Sequence, residues 1–142
     1  MMYILDTNVL SAIMRARPAP EVATWIAGAP EDSLFTTVIS QAEILSGVAI
    51  LPEGRRRSAL AIAAQALFTE DFAGRVLPFD AAAAVAYAEI FAARRHSGRS
   101  TAPLDLMIAA IARAHGARVV TRDTGGFSDA GIPLINPWEM ER

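Results

Sequence analysis

Tyr3-Ile4-Leu5-Asp6-Thr7-Asn8-Val9-Leu10 is the stretch whose reading decides the fold. Three apolar residues of strand character run into a carboxylate, then two small polar residues, then a helical apolar pattern. That order predicts a buried strand over 3–5, Asp6 at its C-terminal end, and a helix over Thr7–Met14. Ligand sites of open α/β sheets gather at the carboxyl ends of strands. A lone Asp here is equally at home as a helix cap. The carboxylates downstream decide how it is read.

Outward from this stretch, Arg15, Arg17, Pro18 and Pro20 break the helix, and Glu21–Ala27 is a short second helix ending near Gly28. Pro30-Glu31-Asp32 is a turn, and Leu34-Phe35-Thr36-Thr37 reads as a second strand. Ser40 opens a helix to about Ile50, closed by Pro52 and Gly54. Arg55–Phe72 continues helically, with Leu60, Leu67 and Phe68 on an apolar side. A third strand over Arg75–Phe79 belongs at an edge because of Pro78. Asp80 caps an Ala-rich helix to about Arg95, suited to core packing or to a dimer contact, and 98–101 is a polar loop. Pro103 starts a helix that runs to His115 and stops at Gly116. Arg118–Thr121 is a fourth strand, Thr124-Gly125-Gly126 a flexible loop, and Leu134-Ile135 a last strand before Pro137 and Trp138. Alternating strands and helices predict one α/β domain over residues 1–142, with a parallel sheet of about four to five strands and helices on both faces.

Composition narrows the classes. The 142 residues are 53% hydrophobic with a mean hydropathy of +0.31, which predicts that some apolar surface is buried against a partner, first of all a second copy. The longest nearly apolar run, Ala59–Phe68, is about half a bilayer span, so a cytoplasmic protein with no membrane span is expected. Zero cysteines exclude disulfides, thiolate nucleophiles and zinc sites built on sulfur. A net charge of −2 provides no global field for nucleic acid, and all 13 basic residues are arginine, so phosphate binding must be local. Arg55-Arg56-Arg57 and Arg94-Arg95 with Arg99 read as solvated faces, or as a phosphate track for RNA.

Four acidic residues stand where an α/β fold could gather them: Asp6, Glu43, Asp105 and Asp123. Each has a structural alternative. Ser40-Gln41-Ala42-Glu43 matches a capping box, Asp105 suits the positive end of a helix after Pro103, and Asp123 suits a turn. Yet Met107, Ile108 and Ile111 place Asp105 near the inward side of a buried helix. Jointly, Asp6 and Asp123 leave the carboxyl ends of strands, and Glu43 and Asp105 sit in first turns of helices. Two carboxylates about 4 Å apart repel by roughly 4 kcal/mol at an effective dielectric of 20. Such a cluster calls for a cation, and oxygen ligands favour Mg2+ or Mn2+. One or two such ions, roughly 3.5–4 Å apart if two, suit phosphodiester hydrolysis. Thr7, Asn8 and Thr121 are placed to orient carboxylates or water. His96 and His115 lie at helix ends without a paired nucleophile, and there is no Gly-rich phosphate loop.

Leu5-Asp6-Thr7-Asn8, Glu43, Leu104-Asp105-Leu106-Met107-Ile108-Ala109-Ala110 and Val120-Thr121-Arg122-Asp123-Thr124 together resemble PIN-domain ribonucleases, and among them VapC-type toxins of type II toxin–antitoxin pairs, of the FitB-like branch. The resemblance extends to Leu51-Pro52-Glu53-Gly54-Arg55-Arg56, Leu77-Pro78-Phe79-Asp80 and Asn136-Pro137-Trp138, and so covers nearly the whole chain. It implies a three-layer α/β/α sandwich and Mg2+- or Mn2+-dependent cleavage of RNA. It also implies a homodimer, and a small antitoxin, often with a ribbon-helix-helix DNA-binding part, that blocks the acidic site in a larger assembly. Carried over residue by residue, Asp6, Glu43, Asp105 and Asp123 become the metal ligands.

One segment departs from the pattern. Relatives commonly read Thr-Arg-Asn-Thr, two residues including an Asp, then Phe; here Gly126 precedes Phe127 and Asp123 replaces the Asn. The fourth carboxylate is then expected from Asp123, or with help from Asp129. The same departure admits a catalytically inactive RNA- or partner-binding module of this fold. A phosphatase of the haloacid dehalogenase type is disfavoured, because Asn8 stands where its Asp-x-Asp needs a second carboxylate.

Overall fold

Tyr3–Leu5 form β1 at the centre of a five-stranded sheet, in a computed structural model that describes residues 1–99 and 102–139. The other strands are β2 (Leu34–Thr37), β3 (Val76–Leu77), β4 (Arg118–Val120) and β5 (Leu134–Ile135). Their spatial order is β3-β2-β1-β4-β5, and every pairing is parallel. Ile4 lies opposite Phe35 on one side and Val119 on the other. The chain builds outward from β1 through β2 and β3, then returns to the far side of β1 for β4 and β5. The reversal falls between β1 and β4, where the carboxyl ends of the strands open a crevice.

The helices are α1 (Thr7–Ile13), α2 (Pro20–Gly28), α3 (Val38–Ala49), α4 (Arg55–Ala66), α5 (Ala81–His96), α6 (Pro103–His115) and α7 (Thr124–Phe127). Strand side chains alternate between two cores, as a pleated backbone requires. Ile4, Val119 and Leu134 join Ile90 of α5 and Leu106 and Ile111 of α6. Leu5, Val120 and Ile135 join Val9 and Leu10 of α1, Ile44 of α3 and Phe68. The result is a three-layer α/β/α sandwich around a parallel sheet. In α6, Pro103 opens the first turn and Gly116 closes the helix at φ +62°, as its sequence predicts. Asp80 caps α5 by accepting from the Ala83 amide. Among the described residues, no helix is long and apolar enough to cross a membrane.

Three expectations change. Helix α3 starts at Val38, not Ser40, because the Thr37 hydroxyl accepts from the Ser40 amide at 3.1 Å and makes Thr37 the cap. Residues 124–126 belong to the short helix α7 rather than to a flexible loop, because Asp123 caps that turn. β3 is only two residues long, at an edge as Pro78 suggested. Ser100 and Thr101 of the polar loop lie outside the described residues.

Beyond the helical run of α4, a π-turn over Leu67–Asp71 is tied down by Arg75. Its guanidinium donates to the Glu31 carbonyl at 2.7 Å, the Leu34 carbonyl at 2.5 Å and the Asp71 carbonyl, and lies over the Phe72 ring. One cation thus joins the entry to β2, the end of the π-turn and β3. Arg75→Ala is expected to cost about 2–3 kcal/mol, since it strips charge-assisted bonds from several carbonyls at once. Urea unfolding measures this, and a loss below about 0.5 kcal/mol, the range of ordinary surface changes, contradicts it.

Candidate active site

Asp6 leaves β1 in extended conformation and caps α1, its Oδ1 accepting from the Thr7 amide at 2.8 Å. It is only 4% exposed. Its Oδ2 accepts from the Thr121 hydroxyl at 2.8 Å and from Asn8 Nδ2 at 3.3 Å. The Thr121 oxygen also accepts from Asn8 Nδ2 at 3.1 Å and from the Asp123 amide at 3.0 Å. Asn8 Oδ1 takes the Arg122 amide at 3.2 Å. Small polar side chains therefore sew the end of β1 to the end of β4, across the crevice.

Glu43 stands in the second turn of α3, one turn later than its sequence suggested, because the helix begins earlier. It does not close a capping box: the Ser40 amide is already bound to Thr37. Instead Glu43 Oε1 lies 2.9 Å from the Thr7 hydroxyl, which is also 3.0 Å from the Ser40 hydroxyl. With one proton to give, Thr7 donates to the carboxylate and accepts from Ser40. Asp105 occupies the first turn of α6, as expected. Asp123 caps α7, accepting from the Gly126 amide at 3.1 Å.

Gly126 explains how Asp123 fits. A Cβ at position 126 would lie 2.7 Å from Asp123 Oδ2 and 3.2 Å from Asp105 Oδ2. The Asp123 carboxylate thus fills the space into which a side chain at 126 would project, beside Asp105. Asp129 stands elsewhere: it is exposed, at φ +66°, and paired with Arg99.

The carboxylates feel one another. Burial, above all, pushes the Asp6 carboxyl up to about 6, with smaller contributions from the charges of Asp105 and Glu43 and partial relief from the Thr121 and Thr7 bonds. Asp105 is also raised, first by burial, then by Asp123 and Glu43, and Arg94 offsets part of this. Among the described residues, no three acidic or imidazole side chains converge closely enough to hold an ion by themselves. Charge coupling links Asp6 to Asp105 and Glu43, and Asp105 to Glu43 and Asp123, without the four meeting at one point. They are oxygen donors only, a set that suits a hard divalent cation.

Three nearby features escaped the sequence. Ser40 supports Thr7 rather than capping a helix. Arg94 is buried, not part of a solvated face, and donates to the Gly126 and Ser128 carbonyls, both at 3.1 Å. No local pattern marks an arginine that reaches another element. Gly126 matters for the atom it lacks. His96 and His115 are exposed at helix C-terminal ends, and Arg55 and Arg56 are exposed on α4. Glu43 stands between two apolar grooves. One, of about 360 Å³, runs past Thr7, Ile44, Val48 and Leu60 and is flanked by Arg15 and by Arg56 of the basic run; the other, of about 410 Å³, is lined by Ile39, Ala42, Leu104 and Met107.

Comparison with known proteins agrees with this fold. The family model for the PIN domain matches residues 3–133. The chain is 41% identical to "VapC ribonuclease Y4jK" of Sinorhizobium fredii over 97% of its own length and 99% of that protein's. It is 37% identical to "Toxin FitB" of Neisseria gonorrhoeae over 96% and 99% of the two chains. A solved structure of FitAB bound to a DNA fragment superposes with a TM-score of 0.91 at 37% identity, covering 99% of each chain.

Proposed function

Because this chain belongs to the PIN-domain family, we propose that it is a ribonuclease toxin of a toxin–antitoxin pair, hydrolysing RNA phosphodiester bonds at Asp6, Glu43, Asp105 and Asp123 with bound Mg2+ or Mn2+. The observation that carries this reading is the set of mutually coupled carboxylates at the reversal of strand order. Bound there, the cation would polarise the phosphodiester and lower the pKa of the attacking water. The chain's own part is to present carboxylates in fixed directions. Thr121 and Asn8 aim Asp6, Thr7 aims Glu43, the first turn of α6 carries Asp105, and Asp123 is the cap of α7. The elevated pKa of Asp6 favours a cation, whose charge offsets the cost of ionising a buried carboxyl.

The partner in this reading is a small antitoxin with a DNA-binding part, which would enter the groove beside Thr7 and Glu43 and close the site. Leu45, Val85, Phe91 and Leu104 are large exposed apolar side chains that suit a homodimer contact. The whole would act in the cytoplasm as one domain over residues 1–142.

The test is cleavage of total cellular RNA by the purified chain in Mn2+ or Mg2+ against a chelator. Defined ends that require metal are the expected result. Metal binding without cleavage would overturn it in favour of an inactive binding module, the reading that Gly126 keeps open. Thr7→Val checks the positioning: it keeps shape and removes the bond to Glu43, so cleavage is expected to fall about 10–100-fold with a near-normal melting temperature. Full activity in that variant would remove Thr7 from the scheme.

A further inference from the structure

Arg122 lies between two residues of the acidic site, Thr121 and Asp123, and its main-chain amide is held by Asn8. Its side chain is exposed, with the guanidinium 5.0 Å from the centroid of the Trp138 ring. Trp138 is half-buried and packs against the core that holds Leu5, Leu10 and Val120, which makes its ring a platform held by packing. Among the described residues the ion pairs are Arg75–Glu31, Arg99–Asp129 and Arg113–Glu89; none engages Arg122. A guanidinium stacked on an aromatic face keeps its N–H donors in a planar edge, free for a tetrahedral anion.

The electrostatics of the site favour such a group beside any bound cation. Four carboxylates repel a phosphodiester, and a net charge of −2 gives no general attraction. Arg94 is buried and committed to two carbonyls, so it cannot meet a substrate. Arg122 is accessible and adjacent. We propose that Arg122, braced on Trp138, receives a phosphate of the RNA strand beside the acidic cluster, and that it governs substrate binding rather than bond cleavage. This rests on the nuclease reading above.

The experiment measures initial rates of total-RNA cleavage against RNA and salt concentration for the wild type, Arg122→Gln and Arg122→Lys, with metal titrations and thermal melts alongside. Arg122→Gln is expected to raise the half-saturating RNA concentration about tenfold or more, the loss of one charge-assisted bond. Its maximal rate and half-saturating metal concentration stay within about twofold, and the salt dependence flattens by about one charge. Lys restores the salt dependence but only part of the binding, since it offers a point charge instead of a planar fork. Unchanged half-saturation and salt dependence in the Gln variant overturn the proposal and leave the guanidinium to a carboxylate of a protein partner. A lowered melting temperature as the sole effect overturns it too, by reducing the stack to a clamp on Trp138. A fall in maximal rate at constant half-saturation does the same, by moving Arg122 into the chemistry. A wild type that cleaves no RNA sinks the nuclease reading and this contact with it, whereas a cleaving wild type matched by the Gln variant sinks the contact alone.

Discussion

Asp6→Asn is expected to abolish RNA cleavage and, in a chelator at pH 8, to make the protein more stable. Both effects have one cause. Asp6 is buried and its carboxyl is pushed from 3.8 to about 6, so ionising it in the folded chain costs about 3 kcal/mol relative to the unfolded chain. That cost is complete above about pH 6. It fades as the pH falls, and disappears below 3.8, where the group is protonated whether folded or not. Asparagine never carries the charge, but its NH2 would face the Asn8 NH2, which costs back about 1–2 kcal/mol. The variant should therefore be about 1–2 kcal/mol more stable at pH 7–8, with the advantage closing between pH 6 and pH 4. Divalent metal should stabilise the wild type and not the variant. Cleavage should fall by more than the 10–100-fold typical of residues that only orient a ligand. Melting curves from pH 4 to 8, with chelator and with Mg2+, decide the matter. A wild type more stable than the variant at pH 8 in chelator contradicts the first claim, and an active, metal-responsive variant contradicts the assignment of the site.

Gly126→Ala is the second large effect, and it adds only a methyl group. That methyl would lie 2.7 Å from Asp123 Oδ2 and 3.2 Å from Asp105 Oδ2, so the Asp123 carboxylate must leave its place and its bond to the Gly126 amide. The backbone at 126 has no positive φ, so alanine is not strained there and the fold should persist. A displacement of about 1 Å near reacting groups is worth on the order of 10²-fold in rate, and a loss of that size is expected. Gly125→Ala is the control: its methyl meets Asp123 Oδ1 only at 3.9 Å, an ordinary contact. The shared space predicts a rescue as well. Asp123→Ala alone should lose cleavage, and Asp123→Ala with Gly126→Asp should regain much of it, because a carboxylate at 126 would enter the space that the Asp123 carboxylate vacates. Cleavage rates for the four variants test this. An active Gly126→Ala, or a double variant no better than Asp123→Ala, would falsify the shared-space account.

Much of this was legible in the chain. Tyr3–Leu5 running into Asp6, the strand at 34–37, Pro103 and Gly116 bounding α6, and Asp80 capping α5 are local signals, carried by neighbours within a turn or a pleat. Glu43 was harder, because Ser40-Gln41-Ala42-Glu43 satisfies a capping pattern that the structure does not use. Thr37, the last residue of the strand read at 34–37, took the cap and advanced the helix start from Ser40 to Val38. Arg94 looked like solvent-exposed charge, since its run of neighbours is basic and its carbonyl partners lie 32 and 34 residues away.

The sequence by itself determined the order of strands and helices, the parallel class of sheet, and the placing of Asp6 at a strand end, because each follows from periodicity and backbone preference. Only the tertiary structure decided which strands are neighbours, and with that where the crevice opens. It also decided that Thr7 meets Glu43 across 36 residues, that Thr121 meets Asp6 across 115, and that Asp123 occupies the room left by Gly126. The physical reason is range: hydrophobic spacing and caps act over a few residues, while the contacts that aim a carboxylate depend on how two loops at opposite ends of the chain pack against one sheet edge.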